Sequence, residues 1–153
     1  MSEASENETD NDRYDYGAVR IGLVGLGSHG RTIQYACEQA PNLEVVSVYD
    51  PNHEEAEVAA VRFGCHIAHS YEALIREKDI DAVVLVTPNH LHRPQVEAAL
   101  SAGKDVFVEK PIANTVADAR AMVQKAEADG RVLMVGHNMR FGRASRKASE
   151  FVW

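Results

Sequence analysis

Long apolar runs are missing from this sequence. No stretch approaches the ~20 residues that a bilayer span requires, and no apolar segment follows the initial Met, so neither a membrane span nor a secretory signal peptide is expected. Cysteine is scarce. Cys37 and Cys65 stand 28 residues apart with no C-x-x-C spacing, which reads as two buried free thiols in a reducing cytoplasm. Positive charge is short as well. The 16 Lys and Arg against 23 Asp and Glu leave a net of −7 and no basic patch, so nucleic acid is not an expected partner. The acid excess is uneven. In the first 18 residues Glu3, Glu6, Glu8, Asp10, Asp12 and Asp15 face Arg13 alone, a net of −5. Residues 1–17 therefore read as a disordered acidic arm. The remainder has the balance of an ordinary globular protein, and 153 residues suffice for one well-buried domain.

The informative stretch is V-R-I-G-L-V-G-L-G-S-H-G, residues 19–30. A short Val- and Ile-rich run reads as a buried strand. It breaks into Gly25, Gly27 and Gly30, spaced G-x-G-x-x-G, and the next residues place Ile33, Ala36, Cys37 and Ala40 on a helical stripe. The glycines thus sit at a strand-to-helix turn, the context in which this motif binds a dinucleotide. Gly25 allows the tight turn, Gly27 lets a pyrophosphate approach the backbone, and Gly30 lets the helix pack on the strand. The N–H groups at the helix start, with Ser28 and His29 beside them, favour an anionic diphosphate.

A second strand, L-E-V-V-S-V-Y-D, ends at Asp50, 20 residues past Gly30. That is the offset expected of an acid on the adenosine ribose. Such a carboxylate accepts hydrogen bonds from the 2′-hydroxyl and repels a 2′-phosphate. No Arg occurs over residues 50–53, which favours NAD over NADP. The other reading of Asp50 is a helix cap or turn residue before Pro51.

Strand and helix alternate from there. Residues 52–64 suit a helix capped by Asn52 and stopped by Gly64. Strand 65–68 and helix 70–78, capped by Ser70, follow. D-A-V-V-L-V-T, residues 81–87, suits a parallel strand covered on both faces. Helix 91–102, strand 105–108, helix 115–129, strand 132–136 and a helix from 141 complete the series. The expected fold is α/β, a doubly wound parallel sheet of the Rossmann type with right-handed crossovers. The expected layout is a Rossmann domain over 18–140 and a connecting helix over 141–153. Ligands on such sheets bind beyond the carboxyl ends of the strands, which singles out three further clusters.

Thr87, Pro88, Asn89 and His92 lie in the polar loop T-P-N-H-L-H and are candidates for the nicotinamide half of a cofactor. A Pro turn with Asn89 capping the next helix is the alternative. His90 and His92, without a nearby third ligand, make a poor zinc set, so no metal is expected. Glu109 and Lys110 follow the strand V-F-V. Glu109 suits ribose hydroxyls and Lys110 suits a general acid/base toward a substrate hydroxyl, with a surface ion pair as the plain alternative. The Lys110–Pro111 bond is a candidate for the cis form. In G-H-N-M-R-F, residues 136–141, Asn138 or Arg140 can reach a substrate or cofactor, or the segment is only a connecting loop.

Taken together, G-L-G-S-H-G at 25–30, Asp50, T-P-N-H-L-H at 87–92, A-G-K-D-V-F-V-E-K-P at 102–111 and G-H-N-M-R-F at 136–141 resemble the nucleotide-binding half of the Gfo/Idh/MocA family of glucose–fructose oxidoreductases and myo-inositol dehydrogenases. The resemblance covers roughly residues 19–141. It implies NAD(P)-dependent oxidation of a hydroxyl of a sugar, cyclitol or related polyol, or the reverse reduction. It makes Lys110 the E-K-P catalytic acid/base and places Glu109 and Asn89 near the nicotinamide ribose. The family's second α/β domain, with its D-x-x-x-H catalytic pair, has no counterpart here. The expectation is therefore the cofactor-binding half of such an enzyme, completed by a second domain before it takes substrate, with self-association through the uncovered face. The alternative is a non-catalytic dinucleotide-binding module. A Tyr-x-x-x-Lys dehydrogenase is excluded, since Ala18, Arg20, Gln39, His53 and Ile75 follow the five tyrosines at that spacing.

Overall fold

The parallel sheet begins with β1 (Val19–Val24), whose Ile21, Leu23 and Val24 are almost completely withdrawn from solvent. The computed structural model describes residues 17–150. The acidic arm expected over 1–17 lies outside the described residues except for Gly17. Along the chain follow α1 (Ser28–Glu38), β2 (Leu43–Tyr49), α2 (His53–Phe63), β3 (His66–Ile67), α3 (Tyr71–Leu74), β4 (Ala82–Leu85), α4 (Asn89–Ser101), β5 (Asp105–Val108), α5 (Val116–Asp129) and β6 (Leu133–Val135). A 3-10 turn (Asn138–Phe141) and α6 (Arg143–Ser149) come last. The strand order is β3-β2-β1-β4-β5-β6, and every pairing is parallel. The order reverses between β1 and β4, which opens a crevice above their carboxyl ends.

Two apolar layers hold this arrangement. Ile21, Leu23, Val48 and Val84 face Cys37 of α1 and Ala56 and Ala59 of α2. Val24, Leu85 and Val106 face Leu74 of α3, Val96 and Leu100 of α4, and Met122 of α5. Each such Leu or Val, fully buried, contributes roughly 1.5–3 kcal/mol before chain entropy is counted. Because both faces are covered, β4 is apolar throughout, as its sequence implies.

Local signals place the helix ends. Asn52 Oδ1 accepts the Glu54 N–H, Ser70 Oγ accepts that of Ala73, and Thr115 Oγ1 accepts that of Asp118. Gly64 and Gly130 close α2 and α5 in the left-handed conformation, with φ of 64° and 63°.

Several expectations change. The inner stripe of α1 is Gly30, Ile33, Gln34 and Cys37, while Ala36 is exposed. Gln34 takes its place because its amide donates to the Leu26 carbonyl and its oxygen receives Arg62. Cys37 is buried but Cys65 only half-buried, and both thiols are free. Burial pushes both thiols up, away from the thiolate. The third helix is one turn instead of nine residues. Ile75 and Ile80 both enter the core, and the buried Lys104 ammonium captures the carbonyls of Glu77 and Ile80 at 2.6 and 2.7 Å, which fixes the turn between them. That burial pulls the Lys104 ammonium down from its ordinary range. Helix α4 begins at Asn89, two residues early, and tolerates Pro94 on its exposed side. The last helix is split by Gly142 from the 3-10 turn before it.

Candidate dinucleotide site

The turn after β1 is one that only glycine fits. Gly25 has φ of +88°, and a Cβ there would lie 2.4 Å from the Val86 carbonyl oxygen. A Cβ on Gly30 would lie 2.3 Å from the Gly25 carbonyl oxygen, so the first turn of α1 sits directly on the glycine loop. Gly27 differs from both. A Cβ there would meet nothing within 4 Å. The space over Gly27 is open, and any side chain would fill it.

Helix α1 starts at this open space without a side-chain cap and without an acid in its first turn. By contrast, α2, α3 and α5 cap themselves with Asn52, Ser70 and Thr115 and carry acids in their first turns. The N–H groups of Ser28, His29 and Gly30 therefore remain for an external acceptor, and the helix dipole favours an anion there. Ser28 and His29 are exposed around that spot.

Two carboxylates approach the loop from opposite sides, and one of them holds it. On the β2 side, Asp50 Oδ2 accepts the Leu26 N–H at 2.7 Å and Oδ1 accepts the Asn52 N–H at 2.8 Å. The turn role foreseen as an alternative for Asp50 is thus realised, and each oxygen keeps a second acceptor direction for a ribose hydroxyl. On the β5 side, Glu109 is 3% exposed. Its Oε2 accepts the Lys110 N–H at 3.0 Å, and Oε1 stands 3.3 Å from His29 Nε2. No well-formed hydrogen bond reaches Oε1, although the atom is buried; such an oxygen needs a donor. The surface ion pair of Glu109 with Lys110, the plain alternative, does not form. Lys110 is exposed, and among the described residues its ammonium has no hydrogen bond or ion pair. The Lys110–Pro111 bond is cis.

His92 is corrected. It was expected to touch cofactor, yet it is fully buried. Its Nε2 lies 2.8 Å from the Thr87 carbonyl oxygen, and Nδ1 lies 3.0 and 3.2 Å from those of Pro111 and Ile112. Both nitrogens are committed to the backbone, so His92 ties the loop after β4 to the loop after β5. Its position in T-P-N-H-L-H carried no sign of this, because the partners are carbonyls some 19 and 20 residues away. The capping alternative for Asn89 is corrected: it is the first residue inside α4, makes no cap bond, and is exposed.

A cavity of about 650 Å³ opens beside the glycine loop. Gly25, Gly27, Tyr49, Asp50, Thr87 and Pro88 are in its wall, together with Tyr71, Glu72, Leu91 and Gln95 among others. Thr87 Oγ1 donates to Gln95 Oε1, and the Tyr71 hydroxyl donates to the Gln95 carbonyl, each at 2.5 Å. Tyr71, Glu72 and Gln95 were not singled out in the sequence. They reach the cavity only through the packing of α3 against α4. Arg140 is exposed and lines a separate depression with Phe141 and Arg146.

The sheet order, the uncapped α1 over an open Gly27 and the acid closing β2 define an α/β domain built to hold a dinucleotide. The residues fit NAD(P): the cradle is free of side chains, and buried Glu109 Oε1 wants a donor. Comparison with known proteins gives the family. Residues 19–137 match the model of the Gfo/Idh/MocA oxidoreductase family, NAD-binding Rossmann fold, and the chain belongs to that family. It is 39% identical over 128 residues to the 1,5-anhydro-D-fructose reductase of Ensifer adhaerens, covering 83% of this chain and 38% of the reductase. It is 36% identical over 123 residues to the inositol 2-dehydrogenase of Rhizobium meliloti, covering 80% of this chain and 37% of that enzyme. A 3-ketoreductase from Actinomadura kijaniata in complex with NADP and TDP-benzene superposes with a TM-score of 0.84 at 27% identity, over 89% of this chain and 42% of the ketoreductase. The chain spans under two-fifths of the length of these curated relatives. Among the described residues, no helix is long and apolar enough to cross a membrane.

Proposed function

We propose that this chain is the cofactor-holding half of an NAD-dependent dehydrogenase acting on a hydroxyl of a sugar, cyclitol or related polyol. The observation that carries the reading is the open cradle over Gly27 at the uncapped start of α1, with Asp50 beside it. The diphosphate would lie on the N–H groups of Ser28, His29 and Gly30, and the adenosine ribose against Asp50. Thr87, Pro88 and Asn89 would border the nicotinamide half, and Glu109 Oε1 would accept from its ribose. The nicotinamide, when bound, supplies a hydride acceptor. Lys110, unpartnered at the exit of β5, would take the proton of the substrate hydroxyl as its carbon gives up hydride, and return it in the reverse direction.

NAD is favoured over NADP because a carboxylate at Asp50 would accept from a 2′-hydroxyl and repel a 2′-phosphate. The second reading is a dinucleotide-binding module without turnover of its own. Calorimetry with NADH and an assay of NAD reduction across inositols and aldoses separate the cases. Binding with turnover that Lys110→Ala abolishes, at unchanged NADH affinity, supports the dehydrogenase. Binding without turnover supports the module. No binding of either dinucleotide ends both.

A further inference from the structure

The cavity beside the glycine loop is charged with one sign only. Of its fifteen wall residues, Asp50 and Glu72 alone carry formal charge, and none is Lys, Arg or His. Asp50 belongs to the sequence motif, but Glu72 does not. It arrives from α3, a different part of the wall. Ser70 Oγ caps that turn through the Ala73 N–H, and the Tyr71 hydroxyl anchors it on the Gln95 carbonyl, so the position of Glu72 is set from both flanks.

We propose that Glu72 is a second determinant of cofactor choice, excluding the 2′-phosphorylated dinucleotide from the adenosine end of this site. The inference rests on the reading of the cavity as a dinucleotide site and goes beyond it. Among the described residues the Glu72 carboxylate has no hydrogen bond or ion pair, so nothing neutralises it. The cation nearest in sequence to the glycine loop, Arg31, is paired with Glu55 at 2.6 Å. The N-terminus of α2, which borders Asp50, is already filled by Asn52, Glu54 and Glu55. The field of Glu72 also reaches the inner wall: burial first, then the Glu72 charge, pushes the Tyr71 phenol up.

The magnitude decides that a solvent-exposed carboxylate can matter here. A cavity of 650 Å³ is no wider than about one to two Debye lengths at physiological ionic strength. A 2′-phosphate within it stays inside the range of Glu72 and carries about two negative charges, so the repulsion is doubled relative to a single ion pair. NAD and NADP share the diphosphate over Gly27, so its repulsion by Glu72 is common to both, and only the 2′-phosphate adds a difference between them.

The test is calorimetry of the full chain with NADH and NADPH, reading NADPH by displacement of NADH where its own heat is too weak. Glu72→Gln should tighten NADPH by about threefold and Glu72→Lys by about tenfold or more, with NADH changing less than about twofold. The gain should shrink between 50 and 500 mM salt. Asp50 is intact in both variants, so these shifts belong to Glu72. Parallel changes for both cofactors would mean that Glu72 reads the adenine base or the fold, and would overturn the proposal. So would no change for NADPH. If the unmutated chain binds neither dinucleotide, the reading of the site itself fails; if it binds NADH and only the selectivity stays fixed, the role of Glu72 alone fails.

Discussion

The carboxylate of Asp50 reaches back from the end of β2 to the N–H of Leu26, at 2.7 Å, inside the glycine loop that ends β1. The residue expected to touch the ribose therefore also holds the loop on which the diphosphate would lie. Asp50→Ala removes this bond and the one to Asn52 N–H. The expected cost is about 1–3 kcal/mol in urea denaturation, with weaker NADH binding and a rise in the ratio of NADPH to NADH affinity. If both affinities fall by the same factor, Asp50 only holds the loop and has no part in selection.

The three glycines should separate by experiment. Gly30→Ala places a methyl 2.3 Å from the Gly25 carbonyl oxygen and should cost at least about 1–3 kcal/mol of folding stability. Gly27→Val points into open space. Its melting temperature should stay within a few degrees of the unmutated chain, while NADH binding by calorimetry is lost. A Gly27→Val variant that still binds NADH normally contradicts the placement of the diphosphate.

His92 is a brace between two loops at the mouth of the site. His92→Phe keeps most of the volume but removes the ring nitrogens that stand against the carbonyls of Thr87, Pro111 and Ile112, and with them the ring's N–H donor. The expected loss is about 2–4 kcal/mol by chemical denaturation. A phenylalanine variant as stable as the parent would show that the ring acts by bulk alone.

Acid stability should follow Asp81. Its carboxylate accepts from the Arg20 side chain and from the Arg20 N–H at 2.9 Å, and these bonds hold it below the usual carboxylate range. A depressed folded-state value means that the unfolded chain takes up the proton first. The stabilisation is complete above the ordinary Asp range and is lost as pH falls through the folded value. Asp81→Asn should therefore lower stability at pH 7 and flatten the acid limb of the curve below about pH 4. The effect is small, because both side chains are open to solvent. An acid limb as steep as the parent's would remove Asp81 from it.

The elements were legible because their causes are local. Val19–Val24 and Ala82–Leu85 announce buried strands by β-branched runs, and Asn52, Ser70, Thr115, Gly64 and Gly130 each act within a few residues of themselves. The glycine triplet and the offset to Asp50 are likewise spacings along one chain. The same local view failed at α3, where Lys104 draws the carbonyls of Glu77 and Ile80 across 24 residues or more. It failed at α1, where Gln34 is buried because Leu26 and Arg62 offer it partners.

Sequence by itself determined that a strand turns through three glycines into a helix, that an acid closes the next strand, and that E-K-P closes the fifth. Tertiary structure alone decided that Asp50 holds the glycine loop and Glu109 lies on its other side, that His92 faces inward to brace two loops, and that Glu72 joins Asp50 in one cavity wall. Pattern and turn chemistry act between neighbours in the chain. Contacts of the second kind exist only after β1 lies between β2 and β4 and α3 packs on α4, and no spacing in the sequence encodes which carbonyl or carboxylate that packing will bring together.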